Sequence, residues 1–154
     1  SDVHYELELV VKISRLGKYV QEDHAHKYYE EMSIGIDFTA RDVQAKLKEK
    51  GHPWEKAKAF DGSAVLGKRF IHKSELQTPI EFHLTKNGET VQNGESSDMI
   101  FTIDKIISHV SQFMTLKMGD LIFTGTPAGV GPVNPGDQLK GYLEGEELLK
   151  VDVK

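Results

Sequence analysis

Two glutamates two positions apart, Glu6 and Glu8, are the residues most suited to chemistry, because they interrupt an otherwise apolar, strand-like run. Strand side chains alternate between faces, so His4, Glu6 and Glu8 are predicted to share one face while Leu7 and its apolar neighbours form the other. Carboxylates at this spacing repel each other unless a cation lies between them, and oxygen ligands suit Mg²⁺, Mn²⁺ or Ca²⁺. The alternative is a solvated polar face on an open antiparallel sheet.

A third acid, Asp37, lies within the apolar run 33–39, which is predicted to be a buried strand. Because an unpaired buried charge is costly, Asp37 is expected to have a partner. Arg41 and Gln44 follow at the junction with a predicted helix over 42–50, where ligand-binding groups are common. This junction is therefore a second candidate region for ligand binding.

Two lysines, Lys56 and Lys58, lie in a segment over 52–63 that is predicted to be a loop and contains the single Trp of the chain. If the segment is extended, both lysines point to the same side. A lysine at an acidic metal centre would supply a fixed positive charge, whereas a lone lysine in a loop is ordinarily solvated.

The glycine-rich run 125–132 holds three glycines and two prolines directly after the apolar run 121–124. Its backbone N–H groups and threonine hydroxyl could hold an anionic oxygen of a ligand. Its spacing matches neither a Walker loop nor a dinucleotide fingerprint, so nucleotide binding is not indicated. A simple tight connection is the alternative.

The elements that must position these residues are predicted from periodicity and turn residues. They include a short helix over 22–32, a hairpin over 80–92 turning at Asn87-Gly88, an amphipathic helix over 103–114, and two strands within 138–153. His24 and His26 lie two apart on the first of these helices and cannot share a face, so they are interpreted as surface residues. Many short strands with two or three helices indicate an α+β, strand-dominated fold.

The composition excludes several classes of function. The 154 residues form one ordinary domain, and 19 basic against 24 acidic residues, without a block of like charge, give no support for binding nucleic acid or a membrane surface. The lack of cysteine excludes disulfides and thiolate zinc sites. No apolar run approaches the roughly 18 residues needed to span a bilayer, and no signal pattern is present, so a cytoplasmic location is expected.

Four motifs, in order and over nearly the whole chain, resemble the fumarylacetoacetate hydrolase family, in particular its small acylpyruvase-like branch. They are Glu6-Leu7-Glu8, the segment 37–44, Pro53-Trp54 followed by 57–60, and the loop 124–132. The resemblance implies a compact roll of mixed β-sheets with the site at one open end. It implies the metal ligands Glu6, Glu8 and Asp37, the catalytic Lys58, and the substrate-binding residues Gln44, Thr126, Arg41 and Gly125. His4 is expected beside the ligands and not among them.

The activity implied is that of a Mg²⁺-dependent hydrolase, with Mn²⁺ or Ca²⁺ as alternatives, which cleaves the C–C bond of acylpyruvate-type 2,4-dioxo acids through a metal-stabilised enolate. An isomerase, tautomerase or decarboxylase acting on 2-oxo diacids such as oxaloacetate or 2-hydroxyhepta-2,4-diene-1,7-dioate is the nearest alternative, and a non-catalytic metal-dependent binding module is a third. A homodimer is implied. Relatives carry an upstream lid with a His and a Glu that activate water, and residues 1–154 are expected to be a catalytic domain lacking that lid.

Overall fold

The computed structural model describes residues 2–154, and the predicted α+β, strand-dominated fold is confirmed. The strands of these residues form three sheets, and each pairing is antiparallel, where the resemblance implied mixed sheets. The strands are β1 (Val3–Tyr5), β2 (Leu7–Ile13), β3 (Tyr29–Asp37), β4 (Thr39–Ala40), β5 (Ala64–Leu66), β6 (Ile71–His72), β7 (Glu81–Lys86), β8 (Glu89–Glu95), β9 (Leu121–Phe123), β10 (Gly131–Pro132), β11 (Gln138–Leu143) and β12 (Glu146–Asp152). The α-helices are α1 (Arg41–Glu49), α2 (Glu55–Lys58) and α3 (Ile103–Phe113), and short 3-10 helices occupy Glu22–Lys27, Lys73–Glu75 and Ser96–Asp98.

The central sheet has β3 and β2 side by side, with β5 and β6 pairing to the outer edge of β3 and β9 pairing to β2. A four-stranded sheet in the order β12-β11-β7-β8 packs against it, and the main core lies between the two. Leu7 and Ile34 from the central sheet and Leu84 and Leu139 from the other are fully buried there. Each such side chain contributes about 1.5–3 kcal/mol, so this core fixes the position of β2.

The first strand, predicted to run without interruption, is broken at Glu6. β1 ends at Tyr5 and pairs with β4 and β10, whereas β2 begins at Leu7 and pairs with β3 and β9. Glu6 therefore occupies the corner where the chain passes from one sheet to another. The alternative of a solvated acidic face is excluded, because Glu6 is 8% exposed and Glu8 4% exposed.

Two other predictions about local structure were wrong. The helix predicted over 22–32 is a 3-10 helix that ends at Lys27, and Tyr29 already belongs to β3, because pairing with β2 outweighs local helix preference. The segment 52–63 is not wholly a loop, since it contains helix α2. Helical residues two apart do not share a face, so Lys56 and Lys58 point in different directions.

The two longer helices were predicted correctly. Helix α1 begins directly after β4, which brings its first turn beside Glu6. Helix α3 buries Ile107 and Ser111 in a second, smaller core together with Val20. Among the helices of residues 2–154, none is long and apolar enough to cross a bilayer.

Candidate active site

Three carboxylates converge at the broken corner of the first strand. Glu8 lies on β2 opposite Gly35 of β3, and Asp37 ends β3, where its N–H donates to the Glu6 carbonyl at 2.9 Å. Each acid offers an oxygen, and the three oxygens lie within 4.8 Å of one another. The register of one strand pair thus brings all three acids together.

Lys58, at the end of α2, places its ammonium group between two of these acids. Its Nζ donates to Glu6 Oε2 at 2.8 Å, to Asp37 Oδ2 at 2.6 Å and to the Thr39 hydroxyl at 2.7 Å, which uses all three N–H donors. Burial lowers the pKa of Lys58, but the hydrogen bonds to both acids outweigh burial and raise the pKa above its ordinary value. Lys58 is therefore a charged, fixed cation, and Lys56 plays no part in the cluster.

Arg41 connects Glu6 to Gln44. Its Nη2 donates to Glu6 Oε1 at 2.6 Å and its Nη1 donates to Gln44 Oε1 at 2.7 Å, since residues three apart on α1 share a face. The Gln44 oxygen is occupied by this bond, so its NH₂ group is the end left to face a ligand. Arg41 thus orients the side chains of both Glu6 and Gln44.

Glu8 is the buried acid without a cationic partner. It forms no ion pair within residues 2–154, and its Oε2 accepts a hydrogen bond from the Gly125 N–H at 2.7 Å. Burial, reinforced by the charges of Asp37 and Glu6, raises the pKa of Glu8 to about 7 despite the Gly125 hydrogen bond. The charge of Lys58 lowers this pKa without a direct contact, so among the described residues the buried carboxylate has no cation bonded to it.

The other two acids differ because their partners differ. Burial raises the pKa of Glu6, but hydrogen bonds from Lys58 and Arg41 together lower it by more, so the pKa lies below its ordinary value. Burial also raises the pKa of Asp37, and its bond to Lys58 does not offset that rise. Glu6 is thus held ionised, while the pKa values of Asp37 and Glu8 lie above their ordinary values.

The glycine-rich loop closes the site from the other side. The Gly125 N–H contacts Glu8, and the Thr126 hydroxyl donates to the Leu7 carbonyl at 2.8 Å. Because that hydroxyl has a single proton, its donor capacity is committed to the backbone. The family resemblance implies that Gly125 and Thr126 bind the substrate, which stays a prediction; in the structure their N–H and hydroxyl groups hold the Glu-x-Glu segment in place.

The structure also shows two residues that the sequence analysis did not select. Thr39 is fully buried and accepts from Lys58. Gln92 is 1% exposed and contacts Leu7, between the two glutamates. A two-residue turn at Asn87-Gly88 would pair Leu84 with Val91, but a bulge shifts the register so that Gln92 lies opposite Leu84 and faces inward. Nothing in the sequence pattern marks this bulge.

His4 lies outside the carboxylate cluster. Its Nε2 contacts the Asp2 carboxylate at 3.0 Å, and it is absent from the group of residues 2–154 that could hold a metal ion.

The three carboxylates fit a hard divalent cation. They supply oxygen donors alone, which Mg²⁺ and Mn²⁺ prefer. A cation would also offset the burial of the Glu8 carboxylate and its repulsion by Asp37 and Glu6, which together raise its pKa. A lysine-bridged carboxylate cluster on a strand-dominated scaffold is thus the class of centre that the fold and the site define.

The chain belongs to the fumarylacetoacetate hydrolase family: the profile of the fumarylacetoacetate (FAA) hydrolase C-terminal domain matches residues 1–153. The oxaloacetate tautomerase YcgM of Escherichia coli is 43% identical over 149 residues, which cover 95% of this chain and 68% of that protein. The resemblance drawn from the motifs is confirmed, and named relatives are enzymes.

Solved structures agree. A fumarylacetoacetate hydrolase family protein from Yersinia pestis superposes with a TM-score of 0.95 at 41% identity, covering 100% of this chain and 71% of that one. A fumarylpyruvate hydrolase from Pseudomonas aeruginosa, solved with Mn²⁺ and pyruvate, superposes with a TM-score of 0.92 at 36% identity, covering 99% of this chain and 66% of that one.

Proposed function

We propose that residues 1–154 form a catalytic domain that binds Mg²⁺ or Mn²⁺ through Glu6, Glu8 and Asp37 and promotes enolate chemistry on a 2-oxo acid. The observation that carries this proposal is the buried Glu8 carboxylate, which has two acids beside it and no cationic partner among residues 2–154. The fumarylpyruvate hydrolase solved with Mn²⁺ and pyruvate, which is a 2-oxo acid, supports both the metal and the substrate class.

The bound cation would supply Lewis acidity for the carboxylate and the adjacent keto oxygen of the substrate. Lys58 places a fixed positive charge beside the cluster, where negative charge develops as the substrate becomes an enolate. The Gln44 NH₂ group, aimed by Arg41, donates to the substrate carboxylate. The Thr126 backbone N–H is the group of that residue we assign to the same carboxylate, because its hydroxyl proton is bonded to Leu7.

The first candidate reaction is hydrolysis of the C–C bond of an acylpyruvate-type 2,4-dioxo acid. In that reaction water adds to the distal carbonyl, the C–C bond breaks so that the acyl group is released as a carboxylic acid, and pyruvate leaves as its enolate, which takes up a proton. Lys58 stabilises the charge of that enolate. The second candidate is keto–enol tautomerisation of oxaloacetate, which needs the same enolate and a proton transfer. The oxaloacetate tautomerase that is 43% identical to this chain supports this second candidate.

The experiment that tests the proposal measures both reactions with one preparation. Acetylpyruvate hydrolysis is followed as pyruvate release, and oxaloacetate tautomerisation as the rate at which the ultraviolet absorbance of the enol reaches equilibrium. With Mg²⁺ or Mn²⁺ at least one reaction is catalysed, and EDTA or Glu8→Gln abolishes it. Binding of Mn²⁺ without turnover of either compound would favour a non-catalytic binding module, and absence of both would refute the proposal.

We also propose that the chain forms a homodimer. Helix α3 and the residues flanking it expose large apolar side chains, with Phe101 54%, Phe113 70% and Met114 67% accessible. The groove beside them is largely apolar and is lined by Phe101, Lys105, Ile106, His109 and Val110. Exposed apolar surface of this kind is typical of protein interfaces, and sedimentation velocity at several concentrations would test the assignment.

A further inference from the structure

Gln92 is a buried amide, and its three hydrogen bonds join residues that flank the proposed metal site. Its Oε1 accepts from the Leu7 N–H at 2.9 Å, and its Nε2 donates to the Thr126 hydroxyl at 2.8 Å and to the Pro127 carbonyl at 3.0 Å. Both N–H donors of the amide are therefore used, on two residues of the glycine-rich loop.

The backbone N–H and C=O of Leu7 need hydrogen-bond partners that no strand backbone within residues 2–154 provides. Glu6 and Glu8 bond to β3 through their backbones, so the Leu7 N–H and C=O point to the opposite edge of β2. β9 pairs with β2 only from Val10 to Lys12 and does not reach Leu7. The amide of Gln92 and the hydroxyl of Thr126 take the place of the missing strand.

These contacts form a closed ring. The Leu7 N–H donates to Gln92, Gln92 donates to Thr126, and Thr126 donates to the Leu7 carbonyl. Each member is buried or partly buried, where hydrogen bonds are strong and unpaired groups costly. The ring fixes the one residue between the two glutamates and, through Thr126, the adjacent Gly125 N–H that contacts Glu8.

We infer that Gln92 is a positioning residue for the metal centre. Through its hydrogen bonds it sets the placement of Glu6 and Glu8 and directs the Gly125 N–H toward Glu8. The expected effect of Gln92 on metal binding rests on the proposed function. The placement of Gly125 does not depend on a metal. Gln92 itself contacts neither the carboxylates nor, by this assignment, the substrate.

The test uses Gln92→Met, which keeps length and removes all three hydrogen bonds, and Gln92→Glu, which keeps the shape and an acceptor for Leu7 but loses the two donors. The control is Ser111→Ala, which removes an equally buried hydroxyl that accepts from the Val20 N–H at 2.9 Å beside the second core. All variants are compared where circular dichroism shows them folded.

Two quantities are measured. In metal-free protein, amide exchange of Gly125 is expected to accelerate at least about tenfold in the Gln92 variants and to stay unchanged in Ser111→Ala. In calorimetry, the Mn²⁺ dissociation constant is expected to rise about 10- to 100-fold in the Gln92 variants and to change by less than about twofold in the control. A side chain that only stabilised the fold would move neither quantity more than the control does.

The outcomes separate the two proposals. If the unaltered protein binds no Mn²⁺, the proposed function fails, and the exchange of Gly125 alone decides the placement by Gln92. If the unaltered protein binds Mn²⁺ and the Gln92 variants bind it equally well, the positioning role is overturned. Should neither Gln92 variant fold, Thr126→Val, which opens the same ring with little change in shape, is measured in the same way: slow Gly125 exchange and unchanged Mn²⁺ affinity in it would overturn the inference.

Discussion

Replacing Glu8 by Gln is expected to stabilise the metal-free protein, although the substitution alters a buried group of the proposed active site. The pKa of Glu8 rises from an ordinary 4.5 to about 7, chiefly because the carboxylate is buried. A carboxyl group with a raised pKa in the folded state favours folding when protonated, and this advantage is lost as pH rises from about 4.5 through about 7. Above that range the ionised group costs about 3 kcal/mol.

Gln at position 8 carries no charge, still accepts from Gly125, and offers an NH₂ group to the neighbouring acids. Urea denaturation in the presence of EDTA should therefore show Glu8→Gln to be more stable than the unaltered protein at about pH 8 by up to about 3 kcal/mol, and nearly equal to it at about pH 5. Saturating Mg²⁺ should reverse the order at the higher pH, because the ion stabilises only the protein that binds it.

The result that would refute this reasoning is a Glu8→Gln protein that is less stable than the unaltered one by the same margin at both pH values without metal. That result would mean that Glu8 is satisfied as a carboxylate without any cation. A matched control is Glu146→Gln, since Glu146 pairs with Arg69 at the surface and its pKa is lowered by that partner. Its substitution should not stabilise the protein as pH rises.

Three further outcomes are expected. Lys58→Ala should lower kcat far more than metal affinity, because the ammonium group stabilises negative charge that develops in the reaction. Equal losses in kcat, measured kinetically, and in metal affinity, measured by calorimetry, would instead indicate a structural lysine. Arg41→Lys keeps one charge but not both contacts, so KM for the 2-oxo acid should rise more than the Mn²⁺ dissociation constant, and a kinetic profile identical to that of the unaltered enzyme would contradict the orienting role. Gly129→Ala should lower the melting temperature well below that of Gly136→Ala: both positions have positive φ, but only at Gly129 would the new Cβ collide with a backbone carbonyl, so equal melting temperatures would count against that packing.

The three acids of the candidate site could be selected from the sequence, because acids in an apolar run violate the local pattern. Glu6, Glu8 and Asp37 stood out for that reason, and the amphipathic pattern of α3 gave its position within one residue. Lys58 could be selected over Lys56 only through the family resemblance, since the short helix α2 that separates their directions has no distinguishing pattern.

What the sequence did not reveal depends on long-range pairing. The break of the first strand at Glu6 arises because β1 and β2 find partners in different sheets. The inward turn of Gln92 depends on a bulge at Leu84. Hydrogen bonds that commit the Thr126 hydroxyl to Leu7 likewise require a contact across 119 residues of chain. Local propensity carries no information about any of these.

The central claim is that Glu6, Glu8 and Asp37 together hold one divalent cation. Calorimetric titration of the metal-free protein with Mn²⁺ tests it most directly, with Asp37→Asn as the comparison, because that substitution removes a charge while keeping the shape. The account predicts one Mn²⁺ per chain in the unaltered protein and binding at least about tenfold weaker in Asp37→Asn. Equal affinity in the two proteins, or no binding to either, would contradict it.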